Sequence, residues 1–282
     1  MNEEKYTNLK AVANEIRKSI ITMLKEAKSG HPGGSLSSAD LLTVLYFDKM
    51  NVNPKDPQDK NRDRFVLSKG HAAPVLYSTL AERGFFDKKE LLGLRKTGHI
   101  LQGHPDMRKV PGVDMSTGSL GIGFSNAVGM ALSAKLDGAS WYTYALLGDG
   151  EIAEGQVWEA AMAASHYKLD NFIAFLDRNG LQIDGACKDV MDASPEDKKF
   201  EAFGFEVSVI DGHDIEAISD AIDKAKAQKN GKPKMIILNT IKGKGVSFME
   251  NQASWHGTAP NDEQYAVAMA DLEKVGEALC QK

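Results

Sequence analysis

Apolar side chains at Leu9, Val12, Ile16, Ile20, Met23 and Ala27 recur every three or four residues, which predicts an amphipathic helix over about residues 5–28. The run Ser29-Gly30-His31-Pro32-Gly33-Gly34 ends that period abruptly. Ser38 stands where an N-cap belongs, ahead of a second helix over Ala39–Lys49. Residues 51–63 hold two prolines and ten charged or amide side chains and read as a surface loop.

Beyond that loop, short apolar runs alternate with helical patterns. Strands are expected at Arg64–Leu67, Trp141–Leu147, Phe172–Leu176, Phe205–Ile210 and Met235–Asn239. Helices are expected at Pro74–Arg83, Ser125–Leu136, Glu154–Tyr167, Ile215–Gln228 and Glu263–Lys282, with an irregular stretch over 96–118. Near-continuous apolar strands separated by helices predict an α/β fold, a mostly parallel sheet flanked by helices on both faces. No linker divides the chain, so residues 1–282 are expected to form a single domain. Ligands of such sheets bind beyond the carboxyl ends of the strands, where several polar, Gly-rich turns fall.

Composition narrows the function without choosing it. A net charge of −5 argues against a nucleic-acid partner. No apolar run approaches the length of a membrane span, and the acidic, polar start MNEEKYTNLK does not read as a signal peptide. Cys187 and Cys280 make neither a disulfide framework nor a zinc cluster, so a reducing, cytoplasmic setting is expected.

Histidine placement is the first chemical signal. Six of the seven histidines adjoin a glycine, where random placement gives about one. They are His31, His71, His99, His104, His213 and His256. Glycine lets backbone come close to a ligand, and histidine titrates near neutrality.

The unit over 141–179 carries the second signal. A strand ends at Gly148-Asp149-Gly150, a helix follows, and the next strand ends at Asp177-Arg178-Asn179. A right-handed crossover lays the two strands parallel; as neighbours, they bring the oxygens of Asp149 and Asn179 to one sheet edge. A carboxylate and an amide carbonyl, completed by water and phosphate oxygens, suit Mg2+, with Ca2+ or Mn2+ as alternatives. Gly148 and Gly150 let backbone amides reach the same phosphates, and a helix starting near Glu154 aims its N-terminus at them. Taken alone, Gly-Asp-Gly is equally a tight strand-to-helix turn; the Asn179 partner favours a metal-bridged diphosphate. The nearest nicotinamide-type fingerprint, Gly118 to Gly123, lacks the required spacing and the preceding strand.

Gly-Asp-Gly followed about thirty residues later by Asn is similar to the thiamine diphosphate signature, and the flanking segments resemble the transketolase family. These are SGHPGGSLSSADLL (29–42), NRDRFVLSKGHAAPVLYSTL (61–80), GHPD (103–106), STGSLGIGFSNAVGMAL (116–132), GDGEIAEGQVWEA (148–160), DRNGLQIDG (177–185), DGHD (211–214) and TIKGKGVSFMENQASWHG (240–257). They occur in family order over nearly the whole chain. Arg178 departs from the second Asn that many thiamine enzymes carry there.

The resemblance implies a thiamine-diphosphate-binding fold and, residue by residue, a site. Asp149 and Asn179 would ligate the metal together with the main-chain carbonyl of Leu181. The turn Gly148, Asp149, Gly150 and Glu151 would lie by the diphosphate, with His71 and His256. Gly118 and the backbone near Leu120 would hold the aminopyrimidine. Glu154 would reach across a dimer interface to the glutamate that activates the cofactor. His31, His71, His104 and His256 would line the substrate channel. His31 and His256 would shuttle the proton of the hydroxyl beside the breaking carbon–carbon bond, for which imidazole suits both directions. His104 would bind the donor's terminal hydroxyl, and His71 would stand between diphosphate and substrate.

The resemblance also implies a pyrimidine-binding domain and a C-terminal domain outside this chain. The expectation is the N-terminal subunit of a two-component transketolase, a dimer of heterodimers whose second subunit carries those domains. It would transfer a two-carbon ketol unit between sugar phosphates; a piece of a longer enzyme is the alternative. A 1-deoxyxylulose-5-phosphate synthase shares the cofactor but not the NRDRFVLSKGH and SWHG segments. A cofactor-binding module without chemistry would not need four channel histidines. Outside the site, His166 and His213 are expected to be structural and Asp214 to cap a helix. His99 carries no motif, Cys187 and Cys280 no catalytic role, and Lys242 and Lys244, on a Gly-rich turn, are expected on a solvated loop, with phosphate contact as the alternative.

Overall fold

The computed structural model describes residues 2–280. Five strands, β1 (Arg64–Leu67), β2 (Thr143–Gly148), β3 (Phe172–Arg178), β4 (Glu206–Asp211) and β5 (Lys234–Asn239), form one sheet in the order β1-β2-β3-β5-β4. Every pairing is parallel, as the apolar runs between helices predict.

One layer of helices holds α1 (Asn2–Ala27), α2 (Gly33–Leu36), α3 (Ala39–Val44) and α4 (Ala73–Arg83). The other is built from α5 (Ile122–Leu136) and α6 (Gly155–His166), followed by the short α7 (Cys187–Val190) and α8 (Glu196–Ala202). The chain then returns to the first layer with α9 (Ile215–Ala227) and α10 (Asp262–Cys280). Alternation along the strands decides which layer each side chain serves. Phe65, Tyr144, Leu146, Phe175 and Leu238 pack with α1, α3, α4, α9 and α10. Val66, Ala145, Leu147, Leu176 and Ile237 pack with α5, α6 and α8. Each such fully buried Leu, Ile or Phe contributes about 1.5–3 kcal/mol.

Several elements differ from the sequence expectation, each for a local reason. Ser38 does not cap α3: α2 runs directly into it, and the Ser38 hydroxyl donates back to the Gly34 carbonyl at 2.9 Å. The second helix is α-helical only to Val44 and finishes as a wider π turn over Leu45–Lys49. The helix after the Gly-Asp-Gly turn starts at Gly155, because a 3₁₀ turn over Glu151–Ala153 comes first. Helices α7 and α8 bury one side chain between them, Phe200, and so leave no apolar period to read. Asp214 does cap α9, accepting from the amides of Glu216 and Ala217. The last two residues of the expected C-terminal helix lie outside the described residues. Among the described residues, no helix is long and apolar enough to cross a membrane.

Register places the chemistry. Gly148 of β2 pairs with Asp177 of β3, so Asp149 and Asn179 leave neighbouring strands at the same edge. The turns after β1 and β5 reach that edge too, and four strand ends converge on one region.

Candidate active site

A cavity of about 330 Å³ opens at this edge. It gathers the sequence-predicted His31, His71, Gly118, Leu120, Gly148, Asp149, Gly150, Glu151, Asn179, Leu181 and His256. It also gathers Lys69, Asp177, Gln182 and Lys242, which sequence reasoning did not select.

Asp149 is buried and its two oxygens accept from the amides of Gly150 at 2.8 Å and Gly180 at 2.5 Å. Burial, and then the neighbouring Asp177, push its carboxyl up to about 6. Asn179 Nδ2 donates to Asp177 at 3.0 Å, and its Oδ1 accepts from the amide of Leu181 at 3.1 Å. The Leu181 carbonyl in turn accepts from Lys242 Nζ at 3.1 Å. Asp149, Asn179 and Leu181 thus lie along two touching turns with a buried ammonium beside them.

Below them sits a polar hub. Lys69 and Asp177 are each 1% exposed and joined at 2.5 Å. Asp177 also accepts from the hydroxyls of Ser37 and Thr240, while Lys69 donates to the Gly34 carbonyl at 2.8 Å. Burial opposes the charge on Asp177, but Lys69 and these donors outweigh it and hold the carboxyl below its ordinary range. Glu151 lines the cavity, yet its carboxylate turns inward. It accepts from Ser68 and from the amides of Gly121 and Gly148, tying together the turns after β1 and β2 and the start of α5.

Three of the four histidines expected to line a channel form a triad. Ring centroids of His31, His71 and His256 stand 5.0 to 5.4 Å apart. Burial, aided by Lys69, drives His71 down to about 2. Burial with Arg95 lowers His31 to about 4, and burial with Lys242 lowers His256 to about 4. All three imidazoles are neutral at physiological pH. His31 Nδ1 is buried without a hydrogen-bond partner among the described residues. His104 stands outside the cavity wall, exposed, with its ring against Gly118: a Cβ there would lie 3.3 Å from the ring. Glu154 is also outside it, exposed at the start of α6 and beside Gly121.

The expectation of a solvated Lys242 is overturned: the residue is 2% exposed. The cause is Gly33, where a Cβ would stand 2.9 Å from Lys242 Cγ; its absence lets the lysine stem lie against the backbone and enter the cavity. Lys244 stays on the partly exposed turn near Glu250. Lys69 had a readable signal in the polar Ser68-Lys69-Gly70 step after a strand, and Asp177 in a carboxylate closing an apolar run. His213 and His99 stand outside the cavity lining, each hydrogen-bonded through both ring nitrogens.

A parallel sheet with Asp and Asn at adjacent strand ends, Gly-lined turns and buried lysines defines a domain for a diphosphate-bearing cofactor. The family described as "Transketolase, thiamine diphosphate binding domain" matches residues 8–273. The chain belongs to this family and is a transketolase component, a transferase chain that binds thiamine diphosphate. It is 46% identical to the 6-deoxy-6-sulfo-D-fructose transketolase subunit SqwG of Clostridium sp. (strain MSTE9), over 97% of this chain and 99% of that one. It is 45% identical to an apulose-4-phosphate transketolase subunit of Phocaeicola vulgatus, over 93% of each. The solved transketolase of Campylobacter jejuni superposes with a TM-score of 0.88 at 35% identity, over 96% of this chain. This chain spans 45% of that solved one.

Proposed function

We propose that the chain is the N-terminal subunit of a two-component transketolase. It transfers a two-carbon ketol unit reversibly from a ketose phosphate to an aldose phosphate. The second subunit supplies the pyrimidine-binding and C-terminal domains in a dimer of heterodimers, working in the cytoplasm. The observation that carries this is the cavity itself: a neutral histidine triad faces an oxygen-donor turn inside a chain that matches relatives named as subunits over 93% or more of their length. Those relatives are named for different donors, so the ketose phosphate here rests on the transketolase reading.

The residues fit a divalent cation and a diphosphate. Asp149, Asn179 and the Leu181 carbonyl are hard oxygen donors lining one cavity, the donor type that such a cation takes. They would hold Mg2+, or Ca2+ or Mn2+, while Gly148, Gly150, His71, His256 and Lys242 contact the diphosphate, and Gly118 and Leu120 the aminopyrimidine. Bound thiamine diphosphate supplies the carbanion and the electron sink that ketol transfer needs.

The chain's own residues position and move protons. His31 and His256, neutral at working pH, take the proton from the hydroxyl beside the breaking carbon–carbon bond and return it in the reverse condensation. His71 bridges diphosphate and substrate, and His104 meets the donor's terminal hydroxyl from the rim. Glu154, exposed beside that rim, faces the partner and contacts its activating glutamate. Assaying ketol transfer with the purified chain, thiamine diphosphate and Mg2+, with and without the partner subunit, tests the reading. Activity only in the mixture is expected; full activity of the chain alone would sink it.

A further inference from the structure

A buried line of side chains runs from α1 to the cavity. Arg17 donates to both oxygens of Asp40, at 3.0 and 2.5 Å. Asp40 Oδ2 also meets His213 Nδ1 at 2.7 Å, and on the far side of the ring the amide of Ile241 donates to Nε2 at 2.8 Å. An amide N–H only donates, so Nε2 carries no proton and Nδ1 carries it, a tautomer that Asp40 fixes. The His213 and Asp40 side chains are 13% and 8% exposed, so water does not replace these contacts freely.

The acceptor matters because of the residue that follows. Ile241 lies in the turn after β5, held at one end by the Thr240 hydroxyl on Asp177 and at the other by the Gly243 amide on the Gly33 carbonyl, 3.0 Å away. Between these anchors Lys242 enters the cavity, reaching the Leu181 carbonyl and His256. Gly212, just before His213, is pressed against β5, where a Cβ would stand 2.5 Å from Thr240 Cγ2. The DGHD turn is therefore built against the lysine-bearing turn.

We infer that His213, oriented by Asp40, is a positioning residue for cofactor binding, fixing the turn that delivers Lys242 to the diphosphate end of the cavity. This rests on the proposed cofactor site. Asparagine at 213 keeps a donor near Nδ1 but offers nothing at Nε2, whereas glutamine extends an acceptor toward Ile241.

The test measures binding of thiamine diphosphate with Mg2+ to the full chain by calorimetry, repeated with the partner subunit. The variants are His213→Asn, His213→Gln, Lys242→Ala and the double variant His213→Asn/Lys242→Ala. His213→Asn and Lys242→Ala should each weaken binding about tenfold or more, as orienting residues behind a ligand shell do, and His213→Gln much less. The double variant should be no weaker than Lys242→Ala, because the histidine acts through the lysine. In the wild type, the Ile241 amide and His213 Nε2 resonances should shift together on cofactor titration, a readout that does not depend on any variant folding. Additive losses, an unaffected single variant, or resonances that stay still would overturn the inference and leave the cofactor site standing. A wild-type chain that binds no cofactor, alone or with its partner, would overturn the site and the inference with it.

Discussion

The Lys242 ammonium donates to Nδ1 of His256 across 3.0 Å, so a buried cation is aimed at a histidine and adds to burial in keeping it neutral. The same ammonium lies against the Leu181 carbonyl and is attracted by Asp149. One side chain thus couples the oxygen-donor turn to the histidine triad, across three separate segments of sequence.

That coupling is measurable by titration. Removing the cation in Lys242→Ala should raise the His256 pKa from about 4 part of the way toward its ordinary value near 6.5, because burial, the largest cause, still opposes protonation together with His31 and Lys69. Imidazole resonances followed by NMR across pH 3.5–8 report it. A His256 titration unchanged in the variant would show that Lys242 does not set this pKa.

Asp149 should oppose folding while it serves binding. Its carboxyl rises from the ordinary 3.8 to about 6, so the folded chain binds this proton more readily than the unfolded chain does. Its effect on stability is therefore neutral below about 3.8, grows unfavourable as pH rises from there to about 6, and stays unfavourable above that. Asp149→Asn should stabilise the cofactor-free chain by about 1–3 kcal/mol at pH 7.5. The gain should shrink on acidification. Urea unfolding at two pH values checks this, and added Mg2+ should stabilise only the wild type. A variant less stable at pH 7.5 would refute the argument.

The sheet and the Asp149–Asn179 pair were legible because both rest on local rules: apolar runs, a Gly-bearing turn, and one crossover that sets two strand ends side by side. Lys69, Asp177 and Lys242 were not selected because their burial is decided by partners far along the chain. Lysine reads as solvated until Gly33 is known to lie beneath it. The Lys69–Asp177 pair joins the ends of β1 and β3, which flank β2 in the sheet. Ser38 misled for the opposite reason: a sound local capping rule lost to a helical turn immediately before it.

His31 should matter to rate more than to assembly. Its Nδ1 is buried and has no hydrogen-bond partner among the described residues, and its ring packs edge-on against His71 and His256, so it holds capacity for a substrate proton. In enzyme reconstituted with the partner subunit, His31→Ala should lower kcat by about 10²–10⁴-fold, the range for a lost general acid–base group. Thiamine diphosphate affinity should change little. Steady-state kinetics beside calorimetry separates the two, and an unchanged kcat would favour a scaffold role for this chain.

Lys69→Met should be the most destabilising of these substitutions. It leaves the Asp177 carboxylate, 1% exposed, without its counter-charge, and takes one of several donors from the Gly34 carbonyl. Breaking a buried pair at one partner costs about 3–5 kcal/mol, chiefly from the stranded charge. Asp177→Asn alone strands the ammonium instead, while Lys69→Met/Asp177→Asn strands neither. The double variant should therefore be more stable than Lys69→Met, because after Asp177→Asn one of the Ser37 and Thr240 hydroxyls can donate to the amide oxygen and the other accept from its NH2 group. Denaturation midpoints of the four chains test it, and losses that simply add would show that the two charges are stabilised independently.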